Sequence, residues 1–236
     1  NVCSGASFTL DLVGNSIGSN QTYTWQRATT STGTYTNVAA AQTSPLLTTT
    51  QMASYYYRCA VQCSGGTIAY SNAVQVTSPA LVAGTNYTIN NGQPTAGNNF
   101  ASFADAVNLF KCGISGAVTF TVAPGSGPYA EQVTIPQVFG ASSTNKITFN
   151  CNGATLAYNT SDANNRTAVV LNGADNIVID SLNIDVSAGT YGWGILLTNQ
   201  ADSNIVKNCT IKSSTSATTS NYAGIVISGS TTSAVT

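Results

Sequence analysis

The chain has 236 residues, among them 7 Lys and Arg, 8 Asp and Glu and no His, and its net charge is −1. So few charges exclude the basic patch that grips nucleic acid, and no apolar stretch approaches the length of a membrane span. Lacking His, the chain lacks the commonest acid–base group and metal ligand. We expect no nucleic-acid partner, no membrane insertion, no cofactor and no metal site. Ser, Thr, Asn and Gly at the polar positions predict an all-β protein.

The first third of the chain alternates apolar and polar residues in short runs, as half-buried strands do. Two details are typical of an immunoglobulin-like sandwich. Leu12 precedes Trp25 by about the number of residues that separates the first cysteine from the core tryptophan in an immunoglobulin domain. Tyr57 lies two residues before Cys59, as the tyrosine of a tyrosine corner does, and the hydroxyl of that tyrosine bonds back to the backbone. We predict this sandwich over residues 1–77, with both rings in its core. Its strand-like runs are "SFTLDL" (7–12), "YTWQR" (23–27), "LLTTT" (46–50), "YYYRCAVQC" (55–63) and "SNAVQV" (71–76).

Six cysteines favour an oxidising compartment outside the cytosol. Each half of the chain holds three of them, so either a bridge links the halves or each half keeps a free thiol. Cys3 has two candidate partners, Cys59 and Cys63, with Cys63 slightly favoured. The other expected pair lies in the second half. The disulfide candidates are Cys3, Cys59, Cys63, Cys112 and Cys151, and Cys209 is expected to be a free, buried thiol because it occupies an apolar repeat position.

A linker over 78–86, with Pro79 and Gly84, separates two sequence patterns. After it, "NNFASFADAVNLFKCG" (98–113) is the one convincing helix: Asn98 or Asn99 can cap its start and Gly113 can end it. Its apolar stripe has helical spacing, so we expect the helix to cap the open first coil of the domain that follows. The stripe consists of Phe100, Phe103, Ala104, Val107 and Phe110.

The second domain, 87–236, repeats itself. "ADNIVIDSLNIDV" (174–186) aligns with "ADSNIVKNCTIKS" (201–213) at an offset of 27, which places Ile184 on Ile211 and Leu182 on Cys209. Ile147 to Ile177 is an offset of 30, as is Gly194 to Gly224. A period of this length without an internal helix predicts a right-handed parallel β-helix, since one coil cannot bury its own apolar face. Its expected strands are "AVTFTV" (117–122), "EQVTIP" (131–136), "KITFN" (146–150), "AVVLNG" (168–173), "NIVIDSLNIDV" (176–186), "GILLT" (194–198), "NIVKNCTI" (204–211) and "GIVIS" (224–228).

Two resemblances follow from these segments. "VCSGASFTL", "YTWQ", "YYYRCAVQCSGG" and "SNAVQV" resemble an immunoglobulin-like module of large secreted Bacteroidota proteins. "FASFADAVNLFKCGISGAVTFTVAPGSGPYAEQVTIPQVFGASSTNKITF" is similar to the opening of their pectin-lyase-like β-helix region. The resemblance implies export by the type IX secretion machinery to the outer cell surface or the medium. The repeat stops within a coil at "GSTTSAVT", so we expect a C-terminally truncated chain.

The acidic residues of the second domain do not form a catalytic pattern. At the offset of 27, Asp180 and Asp185 fall on Lys207 and Lys212, which predicts a surface ladder of opposite charges. Asp175 falls on Asp202, where either turn capping or a bound cation is possible. We name no catalytic residue and expect a non-enzymatic structural or adhesive cell-surface protein. The alternative is a polysaccharide lyase or glycosidase of the β-helix type with its site in coils beyond this chain.

Aromatic residues before two repeats suggest how such a protein would bind. "GTYGWGI" (189–195) and "SNYAGI" (220–225) place Tyr191, Trp193 and Tyr222 on one side of the predicted solenoid. Exposed rings there would stack on sugars, with a polysaccharide or another surface protein as the partner. The alternative interpretation is that these rings cover the apolar edge of a loop.

Overall fold

The computed structural model describes residues 1–15, 20–79, 82–84, 86–214 and 220–233. It divides into two compact units, Asn1–Ala80 and Leu81–Thr236. Strands account for 42% of the chain and helix for 4%, so the predicted all-β class is confirmed. No helix in these ranges is long and apolar enough to cross a membrane.

The first unit contains two antiparallel sheets. One is the pair β1–β4, and the other has the order β3–β2–β5–β6, with β7 also paired to β5. The strands are β1 (Ser7–Leu10), β2 (Gln21–Ala28), β3 (Thr36–Asn37), β4 (Leu47–Thr50), β5 (Tyr55–Cys63), β6 (Ala69–Tyr70) and β7 (Val74–Val76). The two shortest strands, β3 and β6, were not predicted because two residues carry no alternation to detect.

Residues from both sheets pack together in the core of this unit. Trp25 and Tyr57 are buried beside Leu47, as predicted, with Phe8 against them. Trp25 Nε1 donates a hydrogen bond to the Pro45 carbonyl at 2.8 Å. The hydroxyl of Tyr57 donates to the side-chain Oε1 of Gln51 at 3.0 Å, so its partner is a side chain and not the expected backbone group.

The second unit is a parallel β-solenoid of about five turns, which confirms the predicted parallel β-helix. Its three sheets have the orders β18–β15–β12–β10–β8–β9, β13–β16–β19 and β11–β14–β17–β20, and every pairing in them is parallel. The strands are β8 (Asn86–Ile89), β9 (Asn99–Phe100), β10 (Val118–Val122), β11 (Val133–Pro136), β12 (Ile147–Asn150), β13 (Thr155–Ala157), β14 (Thr167–Asn172), β15 (Ile177–Asp180), β16 (Asn183–Asp185), β17 (Gly192–Thr198), β18 (Ile205–Lys207), β19 (Thr210–Lys212) and β20 (Tyr222–Ile227).

The strand registers reproduce the offsets of the sequence repeat. Ile184 pairs with Ile211 at the offset of 27, and Ile147 pairs with Ile177 at the offset of 30. The residues at these positions point into one continuous apolar interior. Stacking of like side chains on successive coils therefore explains why the chain repeats the same short apolar pattern.

A sharp corner divides the predicted strand 176–186 into β15 and β16. Ser181 sits at this corner with φ 58°, and Asn208 occupies the matching corner of the next coil with φ 55°. Short polar residues tolerate this left-handed conformation better than bulky ones do. The alternation continues across the corner, so the sequence pattern alone joins the two strands into one.

The one helix among the described residues, α1 (Phe103–Phe110), is shorter than predicted. Ser102 is its N-cap, and its hydroxyl accepts from the Asp105 amide, so the expected cap at Asn98 or Asn99 is wrong. Those residues precede or enter β9, because the chain is still extended there. Gly113 follows the helix with φ 123°, and its amide donates to the Phe110 carbonyl at 2.8 Å.

One face of α1 is buried against aromatic residues of the first coils. Phe103 contacts Tyr129 and Phe149 with ring centroids 5.0 and 6.1 Å apart, and Phe110 contacts Phe120 and Phe149 at 5.5 and 6.1 Å. The buried helix residues are Phe103, Ala106, Val107 and Phe110. Ala104, which the predicted stripe included, is exposed because it lies on the opposite side of the helix.

Candidate functional site

The aromatic residues predicted to bind a ligand lie near the starts of β17 and β20. Trp193 is fully buried, with a relative exposure of 0%, and packs with Leu196 and Val226. Its Nε1 donates to the Ser220 carbonyl at 3.0 Å. The expectation of an exposed indole at residue 193 is therefore wrong, because the ring packs against side chains of β14, β17 and β20.

Arg166 covers this cluster from the loop that leads into β14. Its guanidinium carbon lies 4.6 Å from the centroid of the Tyr191 ring and 5.0 Å from that of Trp193. Nε donates to the Ala163 carbonyl at 2.8 Å, and the whole residue is only 6% exposed. A buried guanidinium on two ring faces makes a cation–π contact that is strengthened by desolvation. The sequence could have singled out this residue, because it is the only arginine in the second half of the chain.

Tyr191 and Tyr222 are half-buried and lie on neighbouring coils. Tyr222 pairs in register with Gly192, next to Tyr191, and its hydroxyl donates to the Gly189 carbonyl. This bond ties the loop of one coil to the strand of the next. Sugar stacking by these two tyrosines stays a prediction, although Arg166 already lies against the Tyr191 ring.

The predicted ladder of opposite charges is present on the solenoid surface. Lys207 Nζ lies 3.1 Å from a carboxylate oxygen of Asp180, and Lys212 Nζ lies 3.0 Å from one of Asp185. The pKa of Asp180 is lowered, chiefly by the hydrogen bond from the Asn208 amide and then by Lys207. Hydrogen bonds from Ser187, followed by the one from Lys212, lower the pKa of Asp185 to about 2.

Asp175 and Asp202 take part in a hydrogen bond that caps a turn. Oδ1 of Asp175 accepts from the Asp202 backbone amide of the next coil at 2.6 Å, which matches the turn-capping interpretation. Asp162 caps its own loop in the same way, accepting from the Asn164 amide at 2.8 Å. Within the described ranges, no three His, Cys, Asp or Glu side chains are grouped to hold a metal ion.

Glu131 is the acidic residue that the sequence did not single out. Its two carboxylate oxygens accept from the backbone amides of Phe103 and Ala104, each at 2.9 Å, across 28 and 27 residues of chain. Burial raises the pKa of Glu131, and the two amides partly oppose that effect. The carboxylate therefore secures the start of α1.

The cysteine pairing differs from the predicted one. Cys3 and Cys112 are disulfide-bonded, whereas Cys59, Cys63, Cys151 and Cys209 are free thiols. Free Cys209 agrees with its prediction, although it is half-buried and not fully buried. The expected pairs of Cys3 with Cys63 or Cys59, and of Cys112 with Cys151, are wrong.

Strand geometry explains why Cys3 cannot reach the cysteines of β5. The Val2 amide donates to the Thr77 carbonyl at 2.9 Å, and the adjacent Val76 pairs with Tyr55 at the start of β5. Cys63 is eight residues further along that strand, roughly 26 Å away at 3.3 Å per residue. A disulfide requires Cα atoms less than about 7 Å apart. Cys151 is fully buried in the solenoid interior, and burial raises the pKa of its thiol.

A cleft of about 380 Å³ lies between the loop 123–128 and the turn 152–155. Its lining is small and uncharged, with Ser126, Asn152 and Thr155 as the polar side chains. Hydrolysis of a glycosidic bond needs two carboxyl groups around the scissile bond, and this lining supplies neither. The cleft therefore does not offer the groups of a glycosidase site.

The model of a family described as a domain of unknown function (DUF8696) matches residues 1–80, the extent of the first unit. No curated protein and no solved structure is significantly similar to the chain.

Proposed function

We propose that this chain is an extracellular, non-enzymatic protein of a cell surface, with a structural or adhesive role. In this proposal an immunoglobulin-like sandwich, residues 1–77, leads into a right-handed β-helix that serves as a stalk. The observation that carries it is the use made of the acidic residues in the solenoid. Asp180 and Asp185 pair with lysines of the next coil, Asp175 caps a turn and Glu131 holds a helix. These carboxylates join neighbouring segments and do not converge on one cavity.

Two packing features support the finer description of the fold. In the first unit, Trp25 and Tyr57 lie in a core shared by two antiparallel sheets, as in an immunoglobulin-like sandwich. In the second, Phe103 and Phe110 of α1 contact Phe149 of the solenoid interior. An amphipathic helix placed there would cap the first coil and cover its apolar end.

The proposed location outside the cytosol is supported by the disulfide-bonded Cys3 and Cys112, since such bonds persist in oxidising compartments. The resemblance to secreted Bacteroidota proteins supports export by the type IX machinery. In native cells, an antibody against the chain should label the intact outer surface or recover the protein from the medium. Recovery only from the cytosol would contradict this part of the proposal.

Polysaccharide binding on the solenoid would use Tyr191 and Tyr222. Both rings are half-buried, and Arg166 against the Tyr191 ring supplies a positive charge. A ring of this kind offers an apolar face to a sugar and a hydroxyl to its polar edge. Trp193 would support the site from below, because its ring is buried beneath Arg166.

A glycan panel tests both parts of this function. The full-length protein, incubated with neutral and acidic polysaccharides, should bind one of them without releasing reducing ends or unsaturated products. Release of such products would show an enzyme and overturn the non-enzymatic assignment. For the binding site, Tyr191→Ala should weaken retention, whereas Phe139→Ala, at a 47% exposed ring of the loop after β11, should not. Equal retention by both variants would remove Tyr191 from the site.

A further inference from the structure

The outer face of the larger sheet in the first unit carries an arginine held by two tyrosine rings. Because side chains alternate along β5, Arg58 points away from the core that its neighbours Tyr57 and Cys59 enter. Its guanidinium carbon lies 4.0 Å from the centroid of Tyr35 and 4.0 Å from that of Tyr70. These are short cation–π distances, so both rings restrict the orientation of the guanidinium plane.

Hydrogen bonds fix the inner edge of this guanidinium and leave its outer edge open. Nε of Arg58 donates to Oε1 of Gln26 at 3.0 Å, and Nε2 of Gln26 donates to Oδ1 of Asn37 at 2.9 Å. In the described part of the chain, no buried side-chain nitrogen lacks a hydrogen-bond partner. Arg58 is half-buried and is seen to donate only from Nε, so its two Nη groups face solvent.

Among the described residues, no carboxylate pairs with the charge on this face. Asp11 is the single acidic residue among residues 1–80. The ion pairs of the described residues are those of Asp180 and Asp185, both in the other unit. A guanidinium presents its two Nη groups to a carboxylate as a planar fork. Arg58 is therefore oriented for a bidentate anion that the first unit does not itself supply.

We propose that the Tyr35–Arg58–Tyr70 face binds a carboxylate-bearing sugar of an acidic polysaccharide. The carboxylate accepts from the two Nη groups of Arg58. Tyr70 is 51% exposed, so its ring leaves apolar surface for the C–H face of a pyranose. Asn37 is exposed and its amide nitrogen can donate to a sugar hydroxyl. This site lies in the first unit and does not depend on the role proposed for the solenoid.

A matched pair of ligands tests the chemistry. Titration calorimetry on the full chain would compare a β-1,4-linked mannuronate hexasaccharide with the neutral mannose hexasaccharide of the same linkage. The acidic sugar should bind at least about tenfold more tightly, since a charge-assisted bidentate contact is lost with the neutral one. Hexaglutamate, which carries carboxylates without sugar rings, should bind more weakly than the mannuronate.

Substitutions then locate the site. Arg58→Gln should weaken mannuronate binding about tenfold or more, and Arg58→Lys by less, because it keeps the charge but loses the planar fork. Arg27→Gln is the matched control: it removes one positive charge from the same sheet, at a residue that lies over Tyr55 on the core side. Tyr70→Ala provides a second test at a position that is 51% exposed, and it should weaken binding severalfold.

Four results would overturn the proposal, and the first three are no preference for mannuronate over the neutral sugar, equal binding by Arg58→Gln and the unchanged protein, and equal binding of hexaglutamate. Equal loss in Arg27→Gln would show that the sheet attracts anions without a defined site, which also contradicts it. The Tyr191→Ala variant separates this site from the solenoid: it should bind mannuronate at the first unit as the unchanged protein does.

Discussion

The fourth and fifth coils of the solenoid carry nearly the same residues in different surroundings. Ile195 of β17 is fully buried, whereas Ile225, its partner in β20, is 53% exposed. Leu197 is half-buried and its partner Ile227 is 79% exposed. The fourth coil has a described coil on each side and the fifth has one on one side only. Burial in this unit is therefore decided by the neighbouring coil and not by the residue itself.

The glycines of the two coils show the same difference. A Cβ atom on Gly194 would lie 2.6 Å from the Gly224 carbonyl oxygen and 2.6 Å from Cγ2 of Ile211, both on the next coil. A Cβ atom on Gly224, the matching residue, would meet nothing within 4 Å. One repeated glycine is thus required by close packing and the other is not.

The largest effect is expected at Phe110 of α1, the helix that we propose to cap the first coil. Phe110 is fully buried and contacts Phe120 and Phe149, so Phe110→Ala should lower the free energy of unfolding by about 3–5 kcal/mol. Phe139→Ala, at a ring that is 47% exposed, is the control and should lower it by less than about 1 kcal/mol. Chemical denaturation measures both. Equal losses would show that the helix does not cover the solenoid interior.

The second-largest loss of stability is expected for Ile195→Ala, and it can be compared with the loss for Ile225→Ala. Ile195→Ala should destabilise the protein by about 2–5 kcal/mol because it empties a buried position. Ile225→Ala removes a side chain that is half in solvent, so its effect should be less than half as large. Thermal unfolding followed by circular dichroism can rank the two. A larger loss for Ile225→Ala would mean that further contacts cover the fifth coil.

Substitution of the two glycines should change stability by a smaller amount, again with a clear difference between the two positions. Gly194→Ala forces a methyl group against the backbone of the next coil and should cost about 1–3 kcal/mol. Gly224→Ala meets open space and should be neutral or slightly stabilising, because alanine loses less backbone entropy on folding. Both variants need only a melting temperature for comparison. Equal melting temperatures would contradict the packing described for Gly194.

The charge ladder between the same two coils is expected to contribute least. Asp185→Asn should change stability by less than about 1 kcal/mol near neutral pH, since the pair with Lys212 is exposed. The pKa of Asp185 is lowered from 3.8 to about 2, so its contribution is fully present above pH 3.8 and is lost as the pH falls through about 2. The free energy of unfolding, measured across this range, should fall less steeply with decreasing pH in the variant than in the unchanged protein. Identical pH profiles for the variant and the unchanged protein would show that Asp185 makes no favourable interaction in the folded state.

The solenoid was predictable from sequence because its determinants are local and repeated. The offsets of 27 and 30 fixed the register of Ile184 on Ile211 and of Ile147 on Ile177, and the pairing of Asp185 with Lys212 followed from them. The corner at Ser181 was missed because the apolar alternation runs through it. Its left-handed φ is a backbone property that alternation does not record.

The contacts of the candidate site were less accessible to sequence reasoning. Trp193 was expected to be exposed, yet Arg166, 27 residues earlier, lies over its ring. Glu131 reaches back to Phe103, and Arg58 of β5 meets Tyr35 in the loop before β3 and Tyr70 of β6. Each contact joins residues on separate elements at spacings that no short motif encodes. They were visible only after the strands had been placed.

Hydrogen exchange on Phe110→Ala tests most directly the claim that neighbouring segments stabilise each coil and that α1 serves as the neighbour of the first. Because a solenoid's stability is roughly a sum of such neighbour terms, the amides of β8, β10 and β11 should exchange faster in the variant. Those of β17 should remain as they are in the unchanged protein. Uniformly faster exchange through β17, or no change in β8 and β10, would contradict the account.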